Sequence, residues 1–288
     1  MSQLLVDKIE ELTLQDTGKK RKNTKEQFYT AESVAKECIN KIVSTLEDSH
    51  NCLWVEPSAG DGAFLHNTPP TFDTVGVDIE PLSENIVRHD FLTWKIENPA
   101  NKSIIIFGNP PFGKQSKLAK SFIKKSCKIK EVIAIAFILP KSFVKPSMNN
   151  AFDLKFNCVY SKELPKDSFV INETPYDVPC VFQIWKRELH DRAVIVAESP
   201  GGFFYVKADE AHDIIFRRVG GNAGKCHINS ETKYNPQSHH FIKLNDEHVG
   251  SVGYIVKKIN QCVFPSNTLG PRSLSKGEIN AVINVILV

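Results

Sequence analysis

Four consecutive residues, Asn109-Pro110-Pro111-Phe112, carry the strongest chemical signal in this 288-residue chain. They follow the run 103–107 (SIIIF), whose β-branched residues read as a buried parallel strand. Two prolines cannot continue a sheet, and they stiffen the chain behind it. Each also pushes the residue before it into extended backbone. A rigid loop at a strand end therefore offers the Asn109 amide oxygen, the Pro110 carbonyl and the Phe112 ring. Such a set suits an amino nitrogen whose lone pair is delocalised into a planar system. Acceptors that take both of its hydrogens favour a tetrahedral nitrogen, whose lone pair then points at an electrophile. Phe112 can stack on a base drawn out of its helix. Proximity and in-line alignment then supply most of the acceleration.

Three other loops suggest what the electrophile is. The run 52–55 (CLWV) enters Glu56-Pro57-Ser58-Ala59-Gly60-Asp61-Gly62-Ala63-Phe64. Gly60 and Gly62 let backbone approach a ligand closely. No lysine follows them, as a phosphate loop requires, and the GxGxxG spacing is absent. Glu56 and Asp61 instead make the loop acidic, which suits a cationic, sugar-bearing ligand, with Ser58 a further polar contact. Asp78 ends the next run, 74–77 (TVGV), 18 residues after Gly60, with Ile79 beside it. A carboxylate about 20 residues beyond a glycine loop can accept from both ribose hydroxyls. Asp90, after a third short strand, can accept from an adenine amino group, and Phe91 can cover the adenine ring. An adenosine cofactor without phosphates fits this set, and S-adenosylmethionine is the one expected.

These loops need a scaffold. The runs at 52–55, 74–77, 103–107, 132–139 (VIAIAFIL), 156–160 and 179–185 (PCVFQIW), with a short strand before His89, alternate with helical stretches. That pattern predicts an α/β fold with a doubly wound, mostly parallel sheet of seven strands. Val34, Cys38, Ile42 and Leu46 recur every four residues and predict a buried helical stripe, with Thr30 as its cap. Leu118, Phe122 and Ile123 predict another helix. After about residue 187 glycine and asparagine become common, and FFYV, HFIKL and VGYIV read as β-like pieces before a final helix at 279–287. The expected division is a basic arm at 1–26, a cofactor-binding catalytic domain at 27–187, and a small α+β substrate-recognition region at 188–288.

Composition bounds the rest. The net charge is +3, but nine lysines against the single acid Glu131 fall between Lys114 and Lys145, and Lys19, Lys20, Arg21, Lys22 and Lys25 crowd the arm. A basic run is usually a solvated face; bordering a catalytic pocket, it would attract phosphates. Seven cysteines without a CxxC pair read as reduced thiols in an intracellular protein, and no metal is expected. No apolar run reaches the roughly 20 residues of a membrane span, and no secretory signal is expected. KKRK at 19–22 could be a nuclear address.

At this point the chain resembles the class I S-adenosylmethionine-dependent methyltransferases, and most closely the N6-adenine DNA methyltransferases with a gamma-like motif order. The resemblance covers about residues 20–187. It implies that Gln27-Phe28-Tyr29-Thr30 helps hold the cofactor's methionine end, that Glu56–Phe64 cradles it, and that Asp78 and Asp90 bind ribose and adenine. The family's DPPY/NPPY tetrapeptide stands here as NPPF. Residues 137–143 (FILPKSF) resemble a further family segment, with Lys141 a candidate substrate contact. The family also stacks an aromatic on the flipped base after the sixth strand: Phe169 is the first choice and Tyr176 the rival. With the catalytic loop following the cofactor motifs, target recognition is expected after the core. Arg217, Arg218, Lys225 and Arg272, beside glycine loops, are candidate phosphate contacts, although residues 187–288 hold twelve Lys/Arg against ten Asp/Glu. DNA is expected ahead of RNA. RNA adenine, including near a transcript's 5′ end, and a non-catalytic binding subunit of the same fold remain alternatives. So do guanine amino methylation and protein glutamine methylation, though the Gln27–Thr30 segment and the lysine-rich flank point away from the last.

Overall fold

The computed structural model describes residues 29–171, 174–230, 232–268 and 270–288. The arm at 1–26 with its KKRK string, and the candidates Gln27 and Phe28, lie outside the described residues.

The described chain opens with a two-residue strand β1 (Tyr29–Thr30) and helix α1 (Glu32–Thr45). Then follow β2 (Leu53–Glu56), α2 (Ala63–Asn67), β3 (Asp73–Asp78), β4 (Ile86–Arg88), β5 (Ile104–Gly108), α3 (Lys117–Lys128) and β6 (Val132–Pro140). Next come β7 (Phe156–Glu163), β8 (Phe169–Ile171), β9 (Thr174–Tyr176) and β10 (Cys180–Arg187). Seven of these strands form one sheet in the order β4-β3-β2-β5-β6-β10-β7. Strands β4, β3, β2, β5 and β6 run parallel, and β10 is antiparallel to both β6 and β7. The expected seven-stranded, mostly parallel doubly wound sheet is the fold of this protein. The order reverses between β2 and β5, and in such sheets ligands bind at the carboxyl ends of the strands there.

Alternation along the central strands explains why helices cover both faces. Ile105 and Phe107 of β5 face one core, with Trp54, Ala134, Ala136 and the α1 stripe Val34, Cys38 and Ile42. Ile104 and Ile106 face the other, with Val55, Ile135, Phe137 and the α3 residues Ala119, Phe122 and Ile123. Side chains alternate with a period of two, so a strand apolar at every position must be buried on both sides.

Two local expectations are corrected. Thr30 does not cap α1: Ala31 holds the cap position without a side-chain bond, because Thr30 is a strand residue paired with Phe169. The segment VGYIV is helical, not β-like.

The carboxyl-terminal part has its own sheet and core. Strands β11 (Phe203–Val206), β12 (Ile214–Arg217), β13 (Cys226–Ile228) and β14 (His239–Leu244) pair antiparallel in the order β11-β14-β12-β13. A short helix α4 (Asp246–Val249) is followed by α5 (Val252–Gln261) and α6 (Lys276–Leu287). Ile255, Ile259, Ile279 and Ile283 of the two longer helices pack on Phe203, Ile214, Phe216 and Ile242. Ser275 and Glu278 form a capping box at the start of α6. Among the described residues no helix is long and apolar enough to cross a membrane, and no group of three or more His, Cys, Asp or Glu is placed to hold a metal ion.

Candidate functional site

A pocket of about 430 Å³ opens at the carboxyl ends of β2, β3, β4 and β5. Its wall brings together Tyr29, Thr30, Glu56, Ser58, Gly60, Asp61, Asp78, Ile79, Asp90, Phe91, Asn109, Pro110, Pro111 and Phe112, all expected from the sequence. Gly62 stands just behind, heading α2 with φ 85°. A second hollow of about 310 Å³ lies against Leu53, Val75, Val87 and Trp94, where Glu97 is the one titratable group, so it assembles no comparable chemistry.

Asp78 holds the glycine loop in place. Its Oδ2 accepts from the Gly60 amide at 2.8 Å and its Oδ1 from the Glu80 amide at 2.8 Å. The Leu82 amide donates to the Gly60 carbonyl at 3.0 Å, closing the loop against the end of β3. Gly60 has φ 53°, and a Cβ there would approach the Tyr29 ring to 3.2 Å. A larger residue would thus strain the backbone and crowd β1 together. Asp90 Oδ1 accepts from the Leu92 amide at 2.8 Å, shaping the turn after β4. Phe91 contributes to the wall, but its ring belongs mostly to the core: it is 1% exposed, with its centroid 5.1 Å from that of Phe122. Lys125 Nζ lies 4.5 Å over the same ring and donates to the Phe91 and Trp94 carbonyls, tying α3 to this turn.

The tetrapeptide is fixed from three sides. Gly108 has φ 120°, and a Cβ there would lie 3.0 Å from Glu56 Cγ, so the chain leaves β5 in close contact with Glu56. Ser58 Oγ donates to the Asn109 carbonyl at 3.0 Å, and Asn109 Nδ2 donates to Thr30 Oγ1 at 3.2 Å. The Phe112 carbonyl accepts from the Leu118 and Ala119 amides at 3.2 and 3.3 Å, joining the loop to the start of α3. Thr30 is in turn held by the pairing of β1 with β8, in which Tyr29 faces Val170 and Thr30 faces Phe169.

The electrostatics are those of an acidic hollow. Burial, with Asp61 and Asp78 nearby, pushes the Glu56 carboxyl well above its usual range, partly offset by the Leu65 amide. Its Oε2 has no hydrogen-bond partner among the described residues. Tyr29 is raised by burial and by the charges of Asp61, Asp78 and Glu80. A buried carboxyl with one unpartnered oxygen, in a ring of carboxylates, is complementary to a cationic ligand and hostile to a phosphate.

Several wall residues escaped the sequence reading: Glu80, His89, Leu118 and Phe122. Leu118 and Phe122 had a usable signal, since residues four apart share a helix face and this helix starts just after the tetrapeptide. Other expected substrate contacts lie off the wall. Phe169 is fully buried in the same core as Phe112, and Tyr176 is its cross-strand partner in the β8–β9 pair. Phe169 has no exposed surface and is absent from the pocket wall, whereas Phe112 is 5% exposed and stands on it. Lys141 is ion-paired with Glu163 at 2.7 Å. Arg217 and Arg218 belong to the carboxyl-terminal sheet region, where Arg217 Nε donates to the Val219 carbonyl at 3.2 Å and Arg218 Nη2 to the Gln237 carbonyl at 2.9 Å. Lys225 Nζ donates to the Asn260 carbonyl at 2.8 Å, and the Arg272 carbonyl accepts from the Gly220 amide at 2.9 Å.

No family model matches the chain. No curated protein matches it either. Solved structures do. A Pyrococcus horikoshii protein designated an RNA methyltransferase aligns with TM-score 0.45 and 15% identity, over 58% of this chain and 91% of that one. The 23S rRNA methyltransferase ErmE aligns with TM-score 0.43 and 11% identity, over 57% of this chain and 71% of that one. A type I restriction-modification methyltransferase subunit from Streptococcus thermophilus aligns with TM-score 0.41 and 16% identity, over 86% of this chain and 56% of that one.

Proposed function

We propose that this chain is an S-adenosylmethionine-dependent methyltransferase acting on the N6 amino group of adenine in nucleic acid, with DNA ahead of RNA. The observation that carries the reading is the convergence on one pocket of Asn109–Phe112 with Gly60, Asp78 and Asp90. The cofactor brings a sulfonium, an ammonium group, a ribose diol and no phosphate, which matches an acidic wall with a buried, unpartnered Glu56 oxygen. When bound, it supplies an electrophilic methyl group on a positive sulfur.

The chain's own residues do the rest. Glu56 and Asp61 face the cationic end, Tyr29 and Thr30 cover it, Asp78 accepts from the ribose and Asp90 from the adenine. Asn109 and the Pro110 carbonyl accept the two hydrogens of the target amino group, and Phe112 carries the base. The bonds from Asn109 to Thr30 and from Ser58 to Asn109 hold these acceptors before the substrate arrives, so little reorganisation is needed. No strong base is required, because the methylated nitrogen loses its proton to solvent. The region from 188 onward is assigned substrate recognition, with Arg217 and Arg218 as phosphate contacts.

The test is a transfer assay with labelled cofactor on single strands and duplexes of DNA and RNA, followed by mass spectrometry of the product nucleosides. N6-methyldeoxyadenosine is the expected product. N6-methyladenosine alone would move the assignment to RNA. Cofactor binding without transfer to any nucleic acid would make the chain a binding subunit and overturn the proposal.

A further inference from the structure

The acidic pocket raises a physical problem for a polyanionic substrate. Glu56, Asp61, Asp78, Glu80 and Asp90 all stand on its wall. They suit a cationic cofactor, but they repel the phosphates on either side of a target base. The base must enter while its backbone is held elsewhere. The surface next to the catalytic loop has the opposite charge.

Helix α3 begins immediately after the tetrapeptide and contributes Leu118 and Phe122 to the pocket wall. Its core face is Ala119, Phe122, Ile123 and Ser126. At 3.6 residues per turn, Lys117, Lys120, Lys124 and Lys128 fall within an arc of about 80° on the opposite side, next to the Leu118 row. Lys114 precedes the stripe and Lys130 follows it. Lys120 is half-buried and the other five are exposed. Among the described residues none of the six makes an ion pair, whereas Lys141 and Lys145 are held by Glu163 and Glu278. The helix contains no acidic residue. An ordinary solvated helix face mixes signs, because like charges four apart destabilise it. Lys117 sits in the first turn, where the helix dipole disfavours a cation. The stripe thus costs helix stability and has no internal compensation.

We infer that the lysine stripe of α3 is the track for the sugar–phosphate backbone of the nucleic-acid strand whose target base enters the pocket. The inference rests on the adenine-methylation reading above. The stripe is about 16 Å long at 1.5 Å per residue, a length that covers several phosphates of one strand. Lysine suits this role as a mobile point charge that follows backbone without reading sequence. Lys125, turned towards Phe91, is not part of the track.

The test is a fluorescence-anisotropy titration of the full chain with labelled adenine-containing oligonucleotides between 50 and 200 mM salt. Lys117, Lys120, Lys124 and Lys128 are replaced together by Gln, which keeps helix propensity, and in a second variant by Arg. Losing about three phosphate contacts, at roughly 0.7–0.9 each, should reduce the slope of log affinity against log salt by about two to three units. Affinity should fall on the order of tenfold or more at 150 mM salt, with the Arg variant binding as wild type and S-adenosylmethionine affinity unchanged in both. An unchanged slope and affinity in the Gln variant overturns the track, even if wild type makes methyladenine. Loss of binding to polyglutamate without loss of oligonucleotide binding overturns it in favour of an acidic protein partner. If the slope falls as expected but wild type methylates no nucleic acid, the track stands and the catalytic reading fails.

Discussion

A carboxyl group sealed from water with one oxygen unpartnered is destabilising, and Glu56 is such a group. Because its folded-state affinity for a proton is raised, its contribution to stability is full below its ordinary value of 4.5 and is lost as pH rises through the higher folded value. Glu56→Gln should therefore leave the cofactor-free protein as stable or more stable at neutral pH. Cofactor affinity should fall, since a hydrogen bond to a charged group contributes about 1.5–3 kcal/mol, roughly tenfold to a hundredfold. Thermal unfolding and titration calorimetry on the two proteins check both halves; an unchanged affinity would remove Glu56 from the cofactor site. At this scale the sequence was most legible where a residue type is demanded by chemistry: Gly60, Asp78 and Asn109 stand where their spacing implied. It was least legible where the role is set by burial. Phe169 has the right type and position along the chain, but pairing with Thr30 turns it into the core.

Among the elements, β1 does more than its two residues suggest. It clips the amino-terminal segment to β8 and so brings the Thr30 hydroxyl to Asn109. Thr30→Val keeps a β-branched strand residue and removes only the acceptor. Methyl transfer should slow about two- to tenfold, the value of one hydrogen bond of about 0.5–1.5 kcal/mol, with little change in melting temperature. Steady-state kinetics against an unfolding curve separates the two effects; a rate equal to wild type would mean that Asn109 is held by the loop alone. Sequence patterns identified β2, β5 and β6 because parallel central strands are apolar throughout and bounded by loops. The same reading failed at Val252-Gly253-Tyr254-Ile255-Val256, whose composition is strand-like. Val252, Ile255, Val256 and Ile259 recur at helical spacing, and packing on the carboxyl-terminal sheet decides the outcome. Nor could composition reveal β8–β9, a pair too short to have a pattern of its own.

Across the whole molecule, the carboxyl-terminal core is pinned to the segment that follows β6 by Lys145. Its Nζ donates to the Ser273 carbonyl at 2.7 Å and to Glu278 Oε2 at 3.0 Å, at the start of α6. Burial raises the Glu278 carboxyl, but bonds from Ser275, Asn267 and Lys145 outweigh it and leave the group below its ordinary value. This contribution is therefore full above about pH 4.5 and is lost as pH falls through the lower folded value. Lys145→Met should cost about 1.5–3 kcal/mol at neutral pH, and the difference from wild type should shrink in acid to what the bond to the Ser273 carbonyl contributes. Denaturant unfolding at the two pH values measures it; an equal difference in acid would show that the pin does not act through Glu278. That pin was hidden in the sequence, where Lys145 looked like one more member of a basic run. Asn109 stands on the wall of the acidic pocket and is the residue proposed to hold the amino group that receives the methyl. Titration calorimetry with S-adenosylmethionine and a single-turnover transfer assay on an adenine-containing oligonucleotide, both on Asn109→Ala, test that role most directly. Retained cofactor binding with transfer slowed about 10²- to 10³-fold is expected, as for loss of one pre-positioned hydrogen-bonding group. Methyladenine formed at the wild-type rate would contradict it.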